Sequence, residues 1–236
     1  MDLLDDDELE RSAVVANCRM NRERNLVGTN GYAKELGFNP LDILQERTSR
    51  GGPAAWLDLC CGSGKALIEA ARIVHDQGLG RMVTLVGVDL VGMFLRPDPD
   101  LLGLRLVKAS LSDWCPDRHF DVITCVHGLH YVGDKLRLIA RASSWLTEDG
   151  LFVASLDLQN LKRGDGGSAG RRVATALRRE GLEYDPRRRL LRCRGKQSID
   201  LPFRYLGADD RAGPNSTGQP AVNSFYEGVS GTSRAG

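Results

Sequence analysis

From residue 54 to residue 156, short apolar runs alternate with segments of helical periodicity, and this alternation restricts the fold more than any other feature. Residues 54–60, 82–88, 104–107, 121–126 and 151–156 read as buried strands. Residues 65–77 read as a helix with Leu67, Ile68, Ala71 and Val74 on its apolar face. Residues 134–145 read as another, with the Asp134 side chain placed to cap its first turn. Strands separated by helices pair mainly in parallel, and the helices then cover both faces of the sheet. An α/β protein is expected.

Composition narrows the class. At 236 residues and 42% hydrophobic, the chain suits one domain with an appendage and is too apolar to be wholly disordered. The acidic start (Asp2, Asp5, Asp6, Asp7, Glu8, Glu10) is the opposite of a secretory leader. The longest nearly apolar run, 82–95, contains Asp89 and is too short to span a bilayer. Six cysteines form no CxxC pair, so neither a metal knuckle nor a disulfide framework is indicated. The expectation is a cytoplasmic protein with reduced thiols, no metal and no membrane partner.

The densest chemical signal is the segment 56–66, where the first strand gives way to a helix. There, backbone N–H groups and a helix N-terminus point outward to a ligand. Gly64-Lys65 fails as a phosphate loop, because Leu59 stands where a glycine is needed and Ala66 where a hydroxyl is needed. A dinucleotide fingerprint fails as well: Leu67 is bulky at the third small position, and Asp58 would repel a pyrophosphate. Asp58 instead suits a cationic ligand, with Gly62 and Gly64 admitting its backbone.

The pattern Asp58-Leu59-Cys60-Cys61-Gly62-Ser63-Gly64 resembles the cofactor loop of the class I S-adenosylmethionine (SAM)-dependent methyltransferases, usually D-L-G-C-G-T-G. The resemblance covers roughly residues 55–206, and Cys60 replaces the first glycine. It implies a three-layer Rossmann-like sandwich with a mostly parallel seven-stranded sheet, an antiparallel C-terminal hairpin and an N-terminal helical lid. It also implies SAM as cofactor and S-adenosylhomocysteine as product. Asp89, ending Val86-Gly87-Val88-Asp89, takes the place of the acid that accepts from both ribose hydroxyls, with Leu90 following it. After the third strand, Leu111 falls against the adenine face. Either Ser110 or Asp113 takes the position of the adenine-contacting residue, and Trp114 reads as core. Phe120-Asp121-Val122-Ile123-Thr124 and Gly150-Leu151-Phe152-Val153 match the family's fourth and fifth strands, with Asp121 structural.

In that family the segment after the fourth strand borders the transferred methyl, and here it reads His127-Gly128-Leu129-His130-Tyr131. A hydroxyl acceptor needs a base, whereas an amine needs only to be unprotonated. His130 or His127 is the candidate base, and Tyr131 a candidate substrate contact. Tyr32 is the polar aromatic that a lid would bring to the pocket.

The chain divides into an N-terminal helical cap (1–50), a SAM-binding core (51–206) and an irregular tail (207–236). Residues 190–194 and 198–206 read as a hairpin about Gly195-Lys196, with Pro202 on an edge. Neutrality is a sum: 32 basic against 31 acidic residues, yet twelve cations between Lys162 and Lys196 face only four acids. That stripe suits a solvated face, with nucleic-acid phosphates as the alternative. The expected activity is methyl transfer to O or N of a small-molecule acceptor. The alternatives are an RNA methyltransferase and a SAM-binding module without transferase activity, the latter raised by Cys60.

Overall fold

A computed structural model of the chain describes residues 2–16, 23–214 and 218–229. Five strands run in parallel: β1 (Ala54–Leu59), β2 (Val83–Asp89), β3 (Leu104–Lys108), β4 (Phe120–Cys125) and β5 (Leu146–Ser155). Three short strands follow: β6 (Leu161–Arg163), β7 (Glu183–Asp185) and β8 (Leu190–Arg194). The main sheet has the order β3-β2-β1-β4-β5-β8-β7, with β8 antiparallel to both neighbours. This is the seven-stranded, mostly parallel Rossmann-like sheet expected.

The central strands are buried along their whole length, which is why they read as unbroken apolar runs. Side chains still alternate between two cores. Leu57, Leu59, Val86 and Val88 meet Leu138 and Ile139 of α5 (Lys135–Ser144) and Val173 and Leu177 of α6 (Gly170–Arg179). Trp56, Leu85 and Val122 meet Leu67, Ala70 and Val74 of α4 (Lys65–Asp76) and Leu44 of α3 (Pro40–Ser49). Asp134 caps α5 as expected, accepting from the Arg137 N–H. Asp121 is structural: it accepts from the Ala55 N–H at 2.8 Å, and Arg47 Nε lies 2.9 Å away.

The C-terminal part departs from expectation. β8 forms its hairpin with β7, not with the segment after Gly195. That segment contributes β9 (Phe203–Asp209) to a second sheet of order β6-β10-β9, where β10 is Asn223–Gly228. The stretch from 207 onward, read as irregular, thus contains regular structure, with Phe225 and Tyr226 buried in it. β10 is fastened to the start of α5. Buried Lys135 donates from Nζ to the carbonyls of Val132 (2.8 Å) and Val222 (3.0 Å) and to Ser224 Oγ (2.6 Å). The Leu136 N–H donates to the Tyr226 hydroxyl. Burial pushes the Lys135 ammonium down to about 7.

The N-terminal segment is drawn across the same region. Leu4 and Ala208 exchange two backbone hydrogen bonds, and Leu9 of α1 (Asp6–Glu10) is buried against Val15, Ala208 and Val222. Asp5 and Glu8 form a reciprocal capping box on α1, so the acidic start has a local structural role.

Candidate active site

Strand order reverses between β1 and β4, and the loops that follow these strands part to leave a crevice. A cavity of about 240 Å³ opens there. One wall is Cys60–Gly62, Asp89–Val91 and Leu111–Ser112; another is Val126–Gly128 with Tyr131. The α1 residues Asp6, Leu9 and Glu10, with Gln219 from the C-terminal segment, complete the enclosure.

The loop after β1 turns through left-handed backbone at Cys60 (φ 57), Gly62 (φ 59) and Gly64 (φ 74). At Gly64 glycine is required twice over, since a Cβ there would lie 2.9 Å from the Leu106 side chain. At Cys60 left-handed backbone is adopted by a residue with a side chain, at a cost of about 1–2 kcal/mol. The room for that side chain comes from Gly128, where a Cβ would approach Cys60 Cβ to 2.4 Å and the Cys60 and Cys125 sulfurs to 2.8 Å. Contact with the Cys125 thiol, then burial, pushes the Cys60 thiol well above its ordinary range, so it is neutral. Cys60 therefore narrows the cavity without closing it.

Asp58 does not reach the cavity wall. Its carboxylate lies under the loop, accepting from Tyr32 OH at 2.7 Å and from Thr124 Oγ1 at 2.6 Å; Thr124 Oγ1 in turn accepts from Trp56 Nε1 at 2.8 Å. The sequence reading places Asp58 against a cationic ligand; in the structure Asp58 stands behind Tyr32, which does line the cavity. Burial raises Asp58 from 3.8 to about 7, the two hydroxyl donors opposing the shift. Its contribution to stability is therefore present below 3.8 and lost as pH rises through about 7. Tyr32→Phe removes a donor to a carboxylate that is charged at pH 8 and neutral at pH 5. The substitution should cost roughly 1.5–3 kcal/mol at pH 8 and about 0.5–1.5 at pH 5, measured by urea unfolding at both values.

Asp89 sits as expected, buried on the cavity wall, accepting from the Gly62 N–H and the Val91 N–H at 3.0 Å each. Cys60, Gly62, Leu90 and Leu111 line the cavity and Gly64 does not. Neither candidate for the adenine edge lines it. Ser110 is engaged with Glu10 and Ser112, while Asp113 is exposed to solvent. Ser112, two residues after Ser110, lines it. Arg141 fixes this turn by donating to the carbonyls of Leu111 and Ser112, both at 2.7 Å. Trp114 packs edge-on against Trp145, as core.

The two histidines separate clearly. His130 is buried away from the cavity, stacked on His127 with ring centroids 5.8 Å apart. Burial, then the His127 charge, pushes it down to about 3, too weak a base for the role read from the sequence. His127 lines the cavity with its ring, Nε2 lies 3.3 Å from Glu35 Oε2, and both ring nitrogens are buried without a hydrogen-bond partner. Glu10 and Ser112, which line the cavity, and Glu35 beside His127 carry no signal in the residue order because their placement depends on contacts between distant segments. Burial also raises Asp6, Glu10 and Asp134, the carboxyls on the α1 side of the cavity.

A family model described as a methyltransferase domain matches residues 33–194, most of the chain. The chain belongs to this methyltransferase family. It is 31% identical over 111 residues to 2-phytyl-1,4-naphtoquinone methyltransferase from Synechococcus elongatus, covering 43% of this chain and 45% of that protein. The same enzyme from Synechococcus sp. matches equally. The chain thus spans less than half the length of these relatives. Among solved structures it is similar to the N-methyltransferase NodS from Bradyrhizobium japonicum in complex with S-adenosylhomocysteine: 17% identity, TM-score 0.43, over 77% of this chain and 100% of that one. Coclaurine N-methyltransferase bound to N-methylheliamine and S-adenosylhomocysteine gives 19% identity and TM-score 0.37, over 54% of this chain and 36% of that one.

SAM is the cofactor of class I methyltransferases, and the residues present fit it. The cavity pairs a buried acid at the end of β2 with a glycine-containing turn after β1, and Leu111 supplies an apolar wall. No group of three metal-ligating side chains occurs among the described residues, and no helix among them is long and apolar enough to cross a membrane.

Proposed function

We propose that this methyltransferase moves the methyl group of SAM to an oxygen or nitrogen of a small organic acceptor. The observation that carries the reading is one continuous cavity, which runs from the Gly62–Asp89 wall to His127 and Tyr131 and is flanked by α1. In this reading Asp89 holds the ribose, Gly62 and Cys60 border the methionine part, and Leu111 with Ser112 borders the adenine. Bound there, SAM supplies a methyl carbon made electrophilic by its sulfonium. The chain's own task is to align an acceptor lone pair with that carbon, which is catalysis by proximity and orientation. α1, Tyr32 and Gln219 act as the cover that excludes water.

A nucleic-acid acceptor is less well served. Arg188 donates to the carbonyls of Lys34 and Glu35, and Arg192 to that of Leu36, at the end of α2 (Tyr32–Leu36). Arg189 faces Asp157 at 3.5 Å, and Arg163 grips Asp165. Four of the twelve cations of the stripe thus have partners within the chain.

Calorimetric titration with SAM and with S-adenosylhomocysteine tests the cofactor assignment, and both should bind. Binding of neither would refute the reading, and binding without transfer from labelled SAM to any acceptor would favour a non-catalytic module.

A further inference from the structure

We propose that the carboxylate of Glu10, carried on α1, receives the exocyclic amino group of the cofactor's adenine, and that the N-terminal segment is therefore part of the cofactor site. The proposal rests on the SAM reading above, with Asp89 at the ribose, and deepens it by assigning the residue that recognises the base.

The turn after β3 brings Leu111 and Ser112 to the cavity but no acid, since Asp113 is exposed and does not line it. The acid comes instead from a distant segment. Glu10 lines the same cavity as Asp89, Leu90, Leu111 and Ser112. Across a separation of 100 residues, Ser110 Oγ donates to Glu10 Oε1 at 2.5 Å, and the Ser112 hydroxyl lies 2.6 Å from Ser110 Oγ. A second contact is independent of the first. Leu90, next to Asp89, packs against the cluster of Leu9, Val15, Ala208 and Val222. α1 thus meets both the end of β2 and the turn after β3, the two parts that border the base in this reading.

The Glu10 carboxylate has no cation to balance it. The charged groups that act on it are Asp6, Asp7 and Asp113, all acidic. Arg141 also lines the cavity, but it is spent on the carbonyls of Leu111, Ser112 and Trp114. Among the described residues, Ser110 is the one donor to the Glu10 side chain, and it engages Oε1. A carboxylate partly withdrawn from water is stabilised by further N–H donors. The amino group of adenine is such a donor, whereas the carbonyl that replaces it in hypoxanthine is an acceptor and would be repelled.

The consequence is a coupling. α1 has only five residues and would be marginal alone. It is held by the Leu4–Ala208 pairing and by burial of Leu9. A cofactor that bonds Glu10 adds to that hold, and the docked segment strengthens cofactor binding by the same free energy.

The test is calorimetry on the full chain at pH 8 with S-adenosylhomocysteine and with S-inosylhomocysteine, which carries the carbonyl in place of the amino group. The wild-type chain should prefer the first by about 100-fold. Glu10→Gln, whose amide can donate to the carbonyl and still accept from Ser110, should cut that preference to about tenfold or less. A role confined to holding α1 would weaken both ligands alike, so an unchanged preference in Glu10→Gln, or none in the wild type, overturns the proposal. A second readout needs no variant. Saturating S-adenosylhomocysteine should slow hydrogen exchange at the Leu4 and Leu9 amides by about tenfold or more, and saturating S-inosylhomocysteine should do so far less. Equal protection by the two ligands, or protection by neither, overturns the proposal. Failure of the wild-type chain to bind either ligand would instead refute the underlying SAM reading, and this inference with it.

Discussion

Replacing Asp89 with alanine should weaken S-adenosylhomocysteine binding by roughly 100-fold or more, measured by calorimetry on a variant that keeps its cooperative melt. A carboxylate accepting from two hydroxyls makes two charge-assisted hydrogen bonds, each about 1.5–3 kcal/mol. Every 1.4 kcal/mol is about tenfold in affinity. Asp89 also holds the loop itself, through the Gly62 and Val91 N–H groups. Its loss frees the turn as well as removing the contact. Asp89→Asn keeps the shape and loses the charge, so it should fall between wild type and alanine. An unchanged affinity in both variants would mean that Asp89 serves only the backbone.

The second large effect concerns a pair of residues on different loops. Gly128→Ala should destabilise the fold by about 1–3 kcal/mol, because its Cβ would enter space held by Cys60 and Cys125 and the packed core resists overfilling. Cys60→Gly should be neutral or stabilising, since it removes a side chain from left-handed backbone. Combining them should recover much of the Gly128→Ala loss, leaving the part due to the Cys125 sulfur, which is untouched. Chemical denaturation of the four proteins gives the coupling energy directly. Strict additivity would show that the two residues do not share this space.

The sequence was most informative where one segment carries its own signal. The five parallel strands were legible because burial on both faces makes them continuous apolar runs, and Asp89 was legible as the acid ending one of them. Asp58 was misplaced because the donors that turn it inward, Tyr32 and Thr124, come from distant parts of the chain. Arg188 and Arg192 read as surface charge because a guanidinium bonded to helix-end carbonyls leaves no pattern in the residue order. The second sheet was missed for a related reason: β10 pairs in parallel with β6, from which it is separated by β7, β8 and β9. His127 and His130 are equivalent as letters, and only the backbone at 127 decides which of them borders the cavity.

The bridge between Leu4 and Ala208 bears on how the molecule assembles. It joins positions on the order of 200 residues apart, and the entropy of closing a loop grows with its length. The strand–helix–strand units gather from neighbouring residues, and contacts of short sequence separation form fastest. The sheet and its two cores can thus stand before the strap is fastened. The wall supplied by α1 is thus held by a contact distant in sequence, and fastening it is expected to be separable from forming the sheet.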